Sequence, residues 1–138
     1  MSVLAKSDED GVDLSTPVHG DEEIRAMQRA IPALFARWEI TDAQAAILLG
    51  GVSTKTVQRW RDGAFGRAGR DLADRMSHIL GIHKALRLLF ADPARGYAWI
   101  RKPNAAFGGV SALEVMLRGG MEDLQRVRRY LDSARGGW

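Results

Sequence analysis

From Asp71 to Phe90 the apolar side chains Leu72, Met76, Ile79, Leu86 and Phe90 recur at alternating steps of four and three residues, with His83 on the same stripe. Residues at that spacing share one face of a helix, so the stretch predicts a single long amphipathic helix. At 1.5 Å per residue it is about 30 Å long, and its apolar face is stable only when other elements cover it. It is expected to be the central helix of the fold. Nowhere does the chain show a run of alternating β-branched residues bounded by turns. The expected fold class is therefore all-α, an N-terminal helical segment packed with a C-terminal helical domain.

The flanking elements are read from their ends. Asp21-Glu22-Glu23 places three acids where a helix N-terminus favours negative charge, ahead of Ile24, Met27 and Ile31. Pro32 is expected to end or kink that helix, and a second short one starting there presents Leu34, Phe35 and Trp38. Thr41 with Gln44 forms a capping box for a helix from Asp42 to Leu49, which Gly50-Gly51 stops. Ser53 caps the next, running to about Asp62 with Val57 and Trp60 inward and Gly63 beyond its end. After the long helix, Asp92-Pro93 is a break and Pro93 starts a short helix carrying Tyr97, Trp99 and Ile100. Ser111 with Glu114 is a second capping box, Gly119-Gly120 ends its helix, and Leu124, Val127, Leu131 and Ala134 mark a last amphipathic helix.

Charge divides the chain unevenly. Through Glu23 there are seven acids against Lys6, a net of −6, so the remainder carries +9 to reach the overall +3. A folded part this basic has reason to meet a polyanion, nucleic acid first among them, although a solvated basic face fits the same numbers. Residues 1–20 are polar, acidic and interrupted by Gly11, Pro17 and Gly20, too poor in apolar surface to fix one conformation. With no cysteine, disulfides, thiolate metal sites and cysteine nucleophiles are excluded. No basic leader and no apolar run of membrane-spanning length occurs, so the expected location is cytoplasmic, away from a bilayer.

Two short helices around a glycine turn, Thr41 to Gly63, read as a helix-turn-helix. With Val57 and Trp60 facing inward, Thr54, Lys55, Gln58 and Arg59 point outward. Those groups suit base edges in a major groove, arginine pairing with guanine and glutamine with adenine. Ser53 and Thr56 complete the candidate set, while Arg61, Arg67 and Arg70 are placed to hold phosphates. An ordinary αα-hairpin with a solvated outer face fits the same pattern. Enzyme chemistry is not expected: His78 and His83 lie five apart, off a common helix face, His19 falls in the tail, and no phosphate loop or paired carboxylates stand out. No metal and no cofactor is expected.

One segment points further. Trp99 precedes Pro103-Asn104, then Phe107, Gly108-Gly109 and Ser111, followed by a helix with Leu113 and Leu117. This resembles the toxin-binding domain of Xre/MbcA/ParS-type antitoxins, with Ala112 standing where the family often has a proline. The Thr41–Gly63 stretch resembles the Xre-like helix-turn-helix found in front of that domain, with one glycine more than the usual turn. The resemblance implies three parts: a flexible acidic tail at 1–20, a DNA-binding segment at 21–70, and a toxin-binding and dimerisation domain at 71–138. It implies a homodimeric type II antitoxin that binds operator DNA, represses its own operon and holds a cognate toxin, commonly a RES-domain enzyme that degrades NAD, in a higher-order complex. Carried over by position, Arg135, Gly136, Gly137 and Trp138 close the toxin's active site, and Pro103, Asn104, Gly108 and Gly109 form a structural loop.

The physics of that tail is sound on its own terms. Two glycines let a backbone enter a narrow cleft, and burying a terminal tryptophan removes about 200 Å² from water, grossly about 5 kcal/mol. A tryptophan folded back on its own domain, or a simply frayed chain end, fits the same sequence. Two other functions stay open: a regulator with no toxin partner whose C-terminal half only dimerises, and an interaction protein whose extra turn glycine has cost it DNA binding.

Overall fold

A computed structural model of the chain describes residues 19–136. Helix α1 spans Asp21–Trp38 and continues through Pro32, where the sequence predicts a break. Ile31, Leu34, Phe35 and Trp38 lie around the proline and are all buried. Burying four large side chains at about 1.5–3 kcal/mol each outweighs the roughly 3 kcal/mol that an interior proline costs. The helix ends at Glu39 in the left-handed region, φ 57°. Arg101 stabilises that end by donating to the carbonyls of Trp38 at 2.6 Å and Glu39 at 2.9 Å.

Helix α2 (Asp42–Leu48) opens on the expected capping box: the Gln44 amide donates to Thr41 Oγ1 at 3.1 Å, and the Thr41 amide to Gln44 Oε1 at 2.9 Å. Helix α3 (Thr54–Arg61) starts where the Thr56 amide donates to Ser53 Oγ at 3.1 Å. The long helix α4 covers Arg70–Leu89. Its buried face is broader than the predicted stripe: Ala73, Ile82 and Ala85 join Met76, Ile79 and Leu86, because α1, α5 and α7 all pack on it. Leu72 and His83 are only half-buried at its margins.

Helix α5 (Pro93–Trp99) is capped by Asp92, whose Oδ1 accepts from the Ala94 amide at 3.1 Å. A single 3-10 turn at Ala105–Phe107 follows, then α6 (Ala112–Met116) and α7 (Met121–Ala134). Among the described residues the structure is helical with one isolated antiparallel bridge, Pro103 to Ser111. One contiguous core holds both halves of the chain, from Met27 to Leu131.

Arg75 crosses the join between them. It is buried on α4, donates to Asp71 Oδ2 at 3.0 Å, and reaches the Gly119 carbonyl at 2.9 Å. It also passes so close to Gly50 that a Cβ there would lie 2.8 Å from its Nε.

Candidate functional site

The α2–α3 pair presents one buried and one open face. Val57 and Trp60 are buried, Trp60 with its ring edge-on to Phe65 at 5.8 Å, while Thr54, Lys55, Gln58 and Arg59 are exposed on the other side. Ser53 and Thr56 serve the helix start as well as its surface. Their hydroxyls lie 3.0 Å apart, and Arg59 Nη2 donates to Thr56 Oγ1 at 3.3 Å.

Arg61 is placed differently from the sequence reading. It makes a two-pronged pair with Asp42, Nη2 to Oδ2 at 2.9 Å, and so ties the end of α3 to the start of α2. The hydrogen bond from Arg61 holds the Asp42 carboxyl below its ordinary value, against a smaller opposing effect of desolvation. A phosphate would have to compete with that carboxylate for Arg61. Arg67 stands exposed in the loop before α4.

The glycine pair in the turn has a structural explanation. Gly50 (φ 93°) donates to the Ile47 carbonyl at 2.9 Å and Gly51 (φ 92°) to the Ala46 carbonyl at 2.8 Å, the paired bonds of a left-handed helix C-cap. Both positions need a residue tolerant of positive φ, and Gly50 also makes room for Arg75.

In the C-terminal half, the Pro103-to-Gly109 loop is held by its own backbone. Asn104 Oδ1 accepts from the Ala106 amide at 2.9 Å, and the Asn104 carbonyl accepts from Phe107 and Gly109. Gly108 (φ 73°) and Gly109 (φ 92°) turn the chain back towards Ser111. Arg126 of α7 locks the loop from outside, donating to the Ala106 carbonyl at 3.1 Å with its guanidinium 5.4 Å from the Phe107 ring centre. Trp99 and Tyr130 stack at 6.0 Å, and Phe107 meets Tyr130 edge-on at 5.2 Å, leaving Tyr130 37% exposed. Arg135 ends α7 with Nε 3.5 Å from Asp132 Oδ1, and Arg135 and Gly136 are both exposed. Gly137 and Trp138 lie outside the described residues.

These two surfaces coincide with two family signatures. Residues 21–81 match the antitoxin Xre-like helix-turn-helix domain, and residues 85–137 match the antitoxin Xre/MbcA/ParS C-terminal toxin-binding domain. The chain belongs to the Xre/MbcA/ParS antitoxin family. It is also 41% identical over 123 residues to the uncharacterized protein y4oB of Sinorhizobium fredii, a match covering 89% of this chain and 95% of that protein.

The antitoxin thus combines a helix-turn-helix for DNA with a domain for a toxin partner, and α4 runs through the join between the two matched regions. Its histidines serve the fold. His83 stacks on Tyr97 at 5.9 Å and 9°, and burial holds its pKa below the ordinary value, with Arg37 and Arg87 adding to the effect. His78 accepts from Arg128 at 3.2 Å on Nδ1; burial lowers its pKa first and Arg128 second. His19, assigned to the tail by sequence, packs against the folded part, 3.1 Å from Asp74 and 3.4 Å from Glu23. Among the described residues no cluster of side chains could hold a metal ion, and no helix is long and apolar enough to cross a membrane.

Sequence reasoning missed the structural role of several arginines, Arg126 among them, which it weighed only as a toxin-facing or solvated residue. Arg75, Arg101 and Arg126 each donate to a backbone carbonyl far away in sequence, at Gly119, Trp38 and Ala106. No local pattern marks an arginine as carbonyl-bound rather than solvated.

Proposed function

We propose that this antitoxin neutralises a co-encoded toxin by direct contact and, as a homodimer, binds operator DNA to repress its own operon in the cytoplasm. The observation that carries this reading is the open face of α3, where Thr54, Lys55, Gln58 and Arg59 stand exposed on the same polypeptide as the toxin-binding domain. Ser53 and Thr56 orient the start of that helix, and Arg67 holds phosphate; Arg61 contributes chiefly by fixing α3 against α2. The toxin is a RES-domain enzyme that degrades NAD, and Arg135, Gly136, Gly137 and Trp138 occlude its active site. Of these four, Arg135 and Gly136 are described and both are exposed, which leaves them accessible to a partner. The Pro103-Asn104 and Gly108-Gly109 loop shapes the toxin-facing surface without itself contacting the toxin. No catalytic group, cofactor or metal takes part.

The test is co-expression with the neighbouring reading frame. The wild-type antitoxin should co-purify with that protein and restore growth. Trp138→Ala, or truncation after Arg135, should still bind it but release its NAD-degrading activity. Full inhibition by the truncated chain would rule out occlusion by the tail, and failure to co-purify would remove the toxin partner.

A further inference from the structure

Beside the helix-turn-helix lies a cleft of about 550 Å³, between the first turns of α1 and the loop that leads from α3 into α4. Arg25 and Arg29 stand one helical turn apart on the α1 wall, and Arg67 stands on the loop wall. All three are exposed, and among the described residues Asp21 is the only acid in the lining. The two walls are tied together: the buried Gln28 side chain donates to the Gly66 carbonyl at 2.9 Å. That bond fixes the loop against α1 and so presets the spacing of the cationic groups.

On the loop wall Phe65, Arg67 and Ala68 are interspersed with Gly63, Gly66 and Gly69. Gly66 and Gly69 do not have the positive φ that would require glycine, and among the described residues a Cβ at either would meet nothing within 4 Å. Gly69 is the N-cap of α4, a position where glycine is favoured; Gly66 has no such local role and leaves backbone that a polyanion can approach closely.

The cleft begins at Gly63, just beyond the C-terminal end of α3. The eight residues of α3 span about 12 Å, which is about the width of a B-form major groove. With the N-terminal side chains of α3 on base edges, its far end falls at the phosphate wall of the groove. We propose that Arg25 and Arg29 of α1, together with Arg67 across the cleft, grip the DNA phosphate backbone flanking the groove that α3 enters. The contact sets affinity and orientation and reads no sequence. It rests on the DNA-binding reading above and extends the interface from the α2–α3 pair to α1, within the same matched region.

The experiment is a salt titration of binding by the full-length protein, measured by fluorescence anisotropy on its own upstream duplex and on an unrelated duplex. In Arg25→Ala/Arg29→Ala, the slope of log affinity against log salt should flatten by about 1.8 per bound protomer, from two lost phosphate contacts at about 0.9 each. Affinity should fall by the same factor on both duplexes. Arg25→Lys/Arg29→Lys should retain most of the slope, which a purely structural role for the guanidinium groups would not allow. An unchanged slope in the alanine variant, with Lys55→Ala/Arg59→Ala still altering the preference between duplexes, would overturn this inference and leave the DNA-binding reading standing. Wild-type protein that binds neither duplex with a salt-dependent affinity would overturn both.

Discussion

Histidine burial makes stability depend on pH in a defined direction. His83 and His78 both have pKa values lowered from the ordinary 6.5 in the folded protein. Below that value the unfolded chain takes up protons that the folded one refuses, so stability falls as pH falls and is fully present above it. The unfolding midpoint should be level between about pH 8 and 7 and decline from about pH 6.5 towards 5, ahead of carboxylate protonation. His83→Phe keeps a ring against Tyr97 without the titrating group and should flatten part of that decline. Thermal unfolding across this range checks it. That His83 lies on the apolar stripe was readable from spacing; its stacking partner Tyr97, fourteen residues on, was not.

Helix ends carry much of the local encoding, and their energetic weight depends on where they sit. Both capping boxes form as predicted, at Thr41–Gln44 and Ser111–Glu114. Thr41 is exposed, whereas Ser111 is only 4% exposed and also anchors the end of the Pro103-to-Gly109 loop. Thr41→Ala should therefore cost about 0.5–1 kcal/mol and Ser111→Ala about 1–2 kcal/mol. Urea unfolding of the two variants side by side measures the difference. Equal losses would mean that the buried loop junction adds nothing to the cap. The same logic explains the continuous α1. The effect of Pro32 is local, but the burial that outweighs it involves residues of other helices.

A single core and a shared helix make the antitoxin one cooperative body. The core cluster runs from α1 through α4 to α7, and Arg75 joins the turn at Gly50 to the carbonyl at Gly119. Helix content by far-ultraviolet circular dichroism and tryptophan environment by fluorescence should therefore unfold in one coincident transition. Trp38 and Trp60 report the N-terminal half and Trp99 the C-terminal half. Separate transitions would show that the two family regions fold independently. In the folded protein, α4 runs through the join between the two matched regions.

Helix periods, capping boxes, glycine stops and the outward set on α3 were readable from the chain because each depends on residues within about four positions, where helix geometry alone decides who faces whom. The charge division was readable for the same kind of reason, since it needs no coordinates. The carbonyls that receive Arg75 and Arg101 are 44 and 63 residues away, and the Asp42 that engages Arg61 is 19 away. The cleft that gathers Arg25, Arg29 and Arg67 likewise exists only once α1 packs beside the loop before α4. Those partners are chosen by packing of whole helices around α4, and side-chain type at one position carries no record of which distant backbone that packing will bring within reach.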